Sequence, residues 1–216
     1  MRTQNPKALN MVLFTLRKLS EGRLHDQPTG GFHRYATDAA WQLPHFEKML
    51  SDNVQLATIY LEAHQLSKDA QLADTARKTL AFILTDLSTG PFYTAKRDQI
   101  LDDKIITAYN GLAITAFSKA AQILNEPHYL KAAQRAAVYL REHRYDPQSN
   151  RLQRTPNIPA LAEDYAYLVA GLIDLYQTDF NAEWLSWAAQ LTLAQQTLFA
   201  DPQSGALYST TADTDL

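Results

Sequence analysis

The 216 residues, 46% of them hydrophobic, suffice for a packed core, and a formal net charge of -3 with a pI near 6.0 gives no electrostatic reason to approach nucleic acid or an anionic membrane. No cysteine occurs, which excludes disulfides, thiolate metal ligands and thiol nucleophiles. No apolar run reaches the roughly 18–20 residues of a membrane span, and the polar residues 1–7 carry no secretory pattern, so a cytoplasmic location with no nucleic-acid or membrane partner is expected.

Leu9, Val12, Leu13, Leu16 and Leu19 recur at helical spacing between Pro6 and Gly22, which predicts a first helix over residues 6–20. Residues 21–38 hold Asp26, Pro28, Gly30 and Gly31 without a sustained period and read as an irregular connection, long enough to suggest function. Helical patterns then run over 44–66 and 69–87, over 103–124 and 127–143, and over 161–178 and 182–199. Short breaks within each pair predict three antiparallel hairpins.

Leu56, Leu112 and Leu168 stand 56 residues apart on the first helices, answered by Leu72, Leu130 and Leu185 on the second. A turn of one kind follows or precedes the hairpins at Gly30-Gly31-Phe32-His33, Gly90-Pro91-Phe92-Tyr93, Asn150-Arg151-Leu152 and Gly205-Ala206-Leu207-Tyr208. A residue tolerant of positive φ followed by apolar residues returns the chain to the core each time. The expected fold class is all-α, a single domain over residues 1–216 whose repeated hairpins form part of a toroid.

Residues 30–53 are the densest polar and aromatic stretch. Read as a helix, His45, Lys48, Met49, Asp52 and Leu56 share one broad face, and Lys48 can pair with Asp52 four residues on. Such a row either bridges a sugar-sized ligand or is a structural ion pair with His45 near the helix start. Asp102, Asp103 and Lys104 precede Tyr109-Asn110-Gly111; paired carboxylates can divide acid and base roles, although capping of the following helix is the favoured reading. Glu163, Asp164 and Tyr165 occupy the place of Ser51, Asp52 and Asn53, so three acidic clusters are expected to aim at one cavity, unless helix-start electrostatics alone explains them. Trp184 and Trp187 read as core, and the histidines show no metal-ligand spacing, so neither metal nor cofactor is expected.

Gly30-Gly31-Phe32-His33-Arg34-Tyr35, Trp41, residues 44–50 (PHFEKML) and Asp52-Asn53 resemble the helical region of the thioredoxin-domain-containing proteins similar to spermatogenesis-associated protein 20. Asp102-Asp103-Lys104, Asn110-Gly111-Leu112 and Glu163-Asp164-Tyr165-Ala166 look like two later motifs of that family in the same order. The resemblance implies an (α/α)6 toroid related to six-hairpin glycosidases and N-acylglucosamine 2-epimerase-like enzymes, and hence sugar binding or sugar chemistry of an epimerase, isomerase or glycosidase type. A non-catalytic interaction module and a truncated remnant are the alternatives.

On that reading His45, Asp102, Asp103, Glu163 and Asp164 would be catalytic. His33, Arg34, Tyr35, Trp41, Glu47, Lys48, Asp52, Asn53, Lys104, Tyr109, Asn110 and Tyr165 would bind substrate. The sequence departs from the family in lacking the thioredoxin-like domain, a long segment between Tyr93 and Lys96, and the last hairpins, and in carrying Tyr109 where tryptophan is common. The partners implied are a saccharide ligand and either a second copy of the chain or a thioredoxin-like protein.

Overall fold

In the computed structural model, which describes residues 5–211, helix α1 (Pro6–Glu21) begins where Asn5 accepts hydrogen bonds from the amides of Lys7 and Ala8 and Pro6 fills the first turn. Strand β1 (Glu47–Met49) leads into α2 (Leu50–Ser67), which Lys68, at φ 61°, turns into α3 (Ala70–Asp86). Asp69 caps α3 by accepting the Gln71 amide at 3.0 Å. Strands β2 (Ala95–Arg97) and β3 (Ile100–Asp102) add to β1 in the order β1-β2-β3, with Lys48 opposite Lys96 in an antiparallel register.

The chain divides into two units: one comprises the chain up to Leu87 with Ala95–Leu101, the other Ser88–Thr94 with the chain from Asp102 onward. The second holds α4 (Thr107–Leu124) and α5 (Pro127–His143), the antiparallel ribbon β4 (Tyr145–Asp146), β5 (Arg151–Thr155) and β6 (Ile158–Pro159), then α6 (Ala162–Asp179) and α7 (Ala182–Phe199). Asn125 and Phe180, at φ 56° and 55°, make the same left-handed turn as Lys68. Helix α5 buries one stripe, Tyr129, Ala132, Ala133, Ala136, Ala137 and Leu140, as a helix with one wet side does. Helix α4 is buried around most of its circumference, because it packs on both α5 and α6.

Where α4 meets α6, glycine faces backbone. A Cβ on Gly111 would stand 2.6 Å from the Leu168 nitrogen, and one on Gly171 would stand 2.5 Å from the Gly111 carbonyl oxygen. Only glycine permits that approach.

The hairpin boundaries match the helical periodicity closely, but two helices begin later than expected. Residues 44–49 are extended, so α2 starts at Leu50, and α4 starts at Thr107 rather than 103. The repeat is also not a uniform 56 residues. Counting from each helix start, Leu72, Tyr129 and Trp184 are the matching third positions of α3, α5 and α7, all buried, whereas Leu185 is 42% exposed. A one-residue offset turns a helical side chain by about 100°, which is why the leucine spacing misassigned the partner helices.

His25 lies in the connection after α1, buried against the Phe32 ring with a centroid separation of 4.8 Å, and neither of its ring nitrogens has a hydrogen-bond partner. Burial, then the charge of Lys78, holds it below the ordinary imidazole range, against the opposing pull of Asp26. The folded state therefore binds fewer protons than the unfolded one, and this contribution to stability is present above the unfolded pKa of about 6.5 and lost as pH falls from there through the lower folded-state pKa. Urea melts from pH 8 to pH 5 should show a shallower stability loss for His25→Leu than for the parent, which can lose up to about 1.4 kcal/mol per pH unit from one such group. Parallel pH profiles for the two proteins would contradict this account.

Candidate functional site

Backbone hydrogen bonds shape the polar stretch between α1 and α2 into a ribbon. Thr37 donates to the Leu43 carbonyl and His45 to that of Tyr35, each at 2.8 Å, but Arg34 donates to Glu47, also at 2.8 Å. The register thus slips by one residue, a bulge that re-aims side chains. Tyr35 stacks on His45 at 4.7 Å between ring centroids, His33 meets Phe46 edge-on at 5.5 Å, and Arg34 pairs with Glu47 at 2.9 Å. At the tip the Asp38 carboxylate accepts the amides of Ala40, Gln42 and Leu43, and Trp41 takes φ 59°. The rings of Tyr35, Trp41 and Phe46 are left exposed.

Asp52, at the third position of α2, has its pKa raised by burial and by Glu47, with Arg34 opposing. A carboxyl so placed is suited to holding a proton for transfer. His33 is held below the usual imidazole range by burial and then by Lys48, so it is neutral at pH 7. The Nδ1 atoms of His33 and His45 are both buried without a hydrogen-bond partner, as are the ring nitrogens of His25, and this capacity is open to a ligand.

Beside His33 opens a cleft of about 210 Å³, walled by Phe46 and Phe82 and edged by two ion pairs, Lys48 with Asp26 and Lys96 with Asp86, and by Asp98 at the β2–β3 turn. The sequence reading missed Asp26, Asp86, Lys96 and Asp98. The signal for Asp26 was present: Asp26-Gln-Pro-Thr-Gly30, Asp146-Pro-Gln-Ser-Asn150 and Asp201-Pro-Gln-Ser-Gly205 are one motif, in which the aspartate accepts from the Thr or Ser hydroxyl three residues on.

Several expected binding residues have their polar groups engaged within the fold. Lys48 lies on β1 and does not pair with Asp52: its ammonium donates to Asp26 at 2.7 Å, and to the Thr29 hydroxyl and the Gly30 carbonyl at 2.8 Å each. All three of its donors are spent. Asn53 and Asn110 are 0% exposed. Asn53 accepts from the Phe32 amide and donates to the Phe32 and Met49 carbonyls; Asn110 does the same with Phe92 and Ile106. Each asparagine fastens a turn to the helix that follows and spends both amide hydrogens doing so.

In the second unit, Asp164 is also 0% exposed. One oxygen accepts the Ala108 amide at 2.8 Å and the other the Leu161 amide at 2.9 Å and Arg154 at 3.1 Å, so it caps two helix starts at once. Glu163 is tied to Arg154 at 2.7 Å. The Tyr165 hydroxyl accepts the Leu152 amide at 2.8 Å, repeating by other chemistry what Asn53 and Asn110 do from the same helical position. Asp164 and Tyr165, expected to be catalytic and binding residues, thus spend these groups on backbone amides and on Arg154. Asp102 sits on β3 and pairs with Lys104 at 2.7 Å, Asp103 is exposed, and neither caps α4, whose cap position is Ile106. Tyr109, half-buried, holds in α4 the place of Asp52 and Asp164.

No family model matches the chain. Among curated proteins it is 25% identical to spermatogenesis-associated protein 20 of Rattus norvegicus, across 97% of this chain and 43% of that protein, and 25% identical to its Homo sapiens counterpart, across 96% and 42%. The chain thus spans less than half the length of these relatives. Its fold is that of the (α/α)6 toroids of the six-hairpin glycosidase-like class. A cellobiose 2-epimerase from Spirochaeta thermophila superposes with a TM-score of 0.78 at 14% identity, covering 99% of this chain and 60% of that one. A family 76 α-mannanase from Bacteroides thetaiotaomicron gives 0.77 at 17% identity over 94% and 59%, and a D-mannose isomerase gives 0.76 at 13% over 90% and 52%. No helix among the described residues is long and apolar enough to cross a membrane.

Proposed function

We propose that the chain is a carbohydrate-handling helical domain of the spermatogenesis-associated protein 20 kind, with its sugar site on the ribbon between α1 and α2. One observation carries the reading: exposed aromatic faces, Tyr35, Trp41 and Phe46, stand among ionisable groups, His33, Arg34, His45, Glu47 and Asp52, whose hydrogen-bonding capacity is partly unspent. A sugar offers an apolar C–H face to a ring and hydroxyls to the polar groups around it. The fold supports the same reading, since the solved proteins that share it include sugar epimerases, an isomerase and glycosidases.

Binding is the primary role in this reading. If turnover follows, His45 and Asp52 are the proton-transfer groups, because Glu163 and Asp164 are committed to Arg154 and to helix ends. A thioredoxin-like protein or a second copy of the chain would then act on the sugar-bound domain.

Thermal unfolding at fixed protein concentration, against a panel of mono- and disaccharides, tests the proposal. One saturating sugar should raise Tm, and His45→Ala should abolish that rise while keeping the parent helix content. Stabilisation of about 2.7 kcal/mol is expected at a hundredfold excess over Kd. A cooperatively folded protein that no sugar stabilises would refute the proposal.

A further inference from the structure

The cleft beside His33 carries information about which sugars fit. Its rim brings three carboxylates, Asp26, Asp86 and Asp98, against two ammonium groups, Lys48 and Lys96. With His33 neutral the lining bears one net negative charge. The Lys48 ammonium is fully engaged, buried over the Phe82 ring at 4.5 Å. Among the described residues Lys96 is engaged by Asp86 alone and keeps free donors, and Asp98 stands exposed at the turn without a hydrogen-bond partner. A ligand entering between Phe46 and Phe82 therefore meets apolar walls, a donor on one side and an acceptor on another, and no surplus of positive charge.

Resting on the carbohydrate reading above, we infer that this cleft takes an uncharged hexose unit, with Lys96 and Asp98 recognising its hydroxyls, and rejects phosphorylated sugars. The small volume admits one ring. A dianionic phosphate brought among three carboxylates would need cations to spare, and the lysines here are already neutralised.

Isothermal titration calorimetry on the full chain at pH 7.5, with D-glucose, D-mannose and their 6-phosphates, reads this out. One free hexose should bind at least about tenfold more tightly than its phosphate, and Lys96→Met should weaken the hexose by about tenfold or more. Asp98→Lys reverses the net charge of the lining at an exposed turn whose positive φ of 53° lysine tolerates, as Lys68 does at 61°. It should shift the ratio of phosphate to hexose affinity by about tenfold toward the phosphate. A 6-phosphate that binds the parent as tightly as the hexose would overturn the inference and leave the sugar reading standing. So would hexose binding lost in His45→Ala but indifferent to both Lys96→Met and Asp98→Lys. No heat with any of the four ligands, from cooperatively melting protein that no sugar of the thermal-unfolding panel stabilises, would take down both.

Discussion

Gly111→Ala is expected to destabilise the protein by about 3 kcal/mol or more, among the largest effects of any single methyl group in the chain. The new Cβ would sit 2.6 Å from the backbone of Tyr167 and Leu168, and backbone inside a packed helix pair cannot swing aside as a side chain does. Helix propensity works the other way, since alanine is favoured over glycine by up to about 1 kcal/mol, so the sign of the result decides between them. Gly171→Ala should behave alike, because its Cβ would meet the Gly111 carbonyl oxygen at 2.5 Å. Urea denaturation of both variants gives the answer. A gain in stability for Gly111→Ala would mean that α4 and α6 are not in backbone contact, and the packing of the second unit described above would be wrong.

The sequence announces that glycine only indirectly. Periodicity located α5 and α7 to the residue, because a helix with one buried stripe writes that stripe into its spacing, as Tyr129 to Leu140 show. Helix α4 has no such stripe, being buried nearly all round, so its pattern could be extended backward through Asp103 without contradiction. The short strands were invisible for a different reason: three residues are too few to display a period of two, and Glu47-Lys48-Met49 reads equally well as helix until its partner, residues 95–97, is known. That single misreading placed Lys48 beside Asp52 rather than beside Asp26, 22 residues away.

The candidate site divides along the same line. His33, Arg34, Tyr35, His45 and Glu47 come together as the dense local composition suggested, because a ribbon joins residues close in sequence. The cleft beside His33 is a different case: Asp86, Lys96 and Asp98 reach it through tertiary pairing that no local pattern encodes. Burial was equally illegible. An asparagine in a dense polar stretch reads as a ligand contact, and only the fold reveals that its amide is spent on the backbone of a turn.

That last point has a measurable consequence at Asn53 and Asn110. Each makes three hydrogen bonds while fully buried, Asn110 at 2.9 Å to the Phe92 nitrogen, 2.9 Å to the Phe92 oxygen and 3.1 Å to the Ile106 oxygen. Truncation to alanine strands the Phe92 amide and two carbonyls without water, so Asn110→Ala should cost about 3–5 kcal/mol, with a similar loss for Asn53→Ala. Asn110→Asp separates this role from a ligand contact. The carboxylate can still accept the Phe92 amide, but it faces two carbonyl oxygens with no proton to give, so at pH 7 it should destabilise about as much as alanine. Protonation restores one donor, which raises the folded-state pKa of the new carboxyl above its unfolded value. Its penalty should therefore shrink as pH falls toward 4, while the penalty of Asn110→Ala stays level. A protein in which Asn110→Ala leaves Tm unchanged but abolishes sugar binding would return this residue to the substrate and remove the latch from the fold.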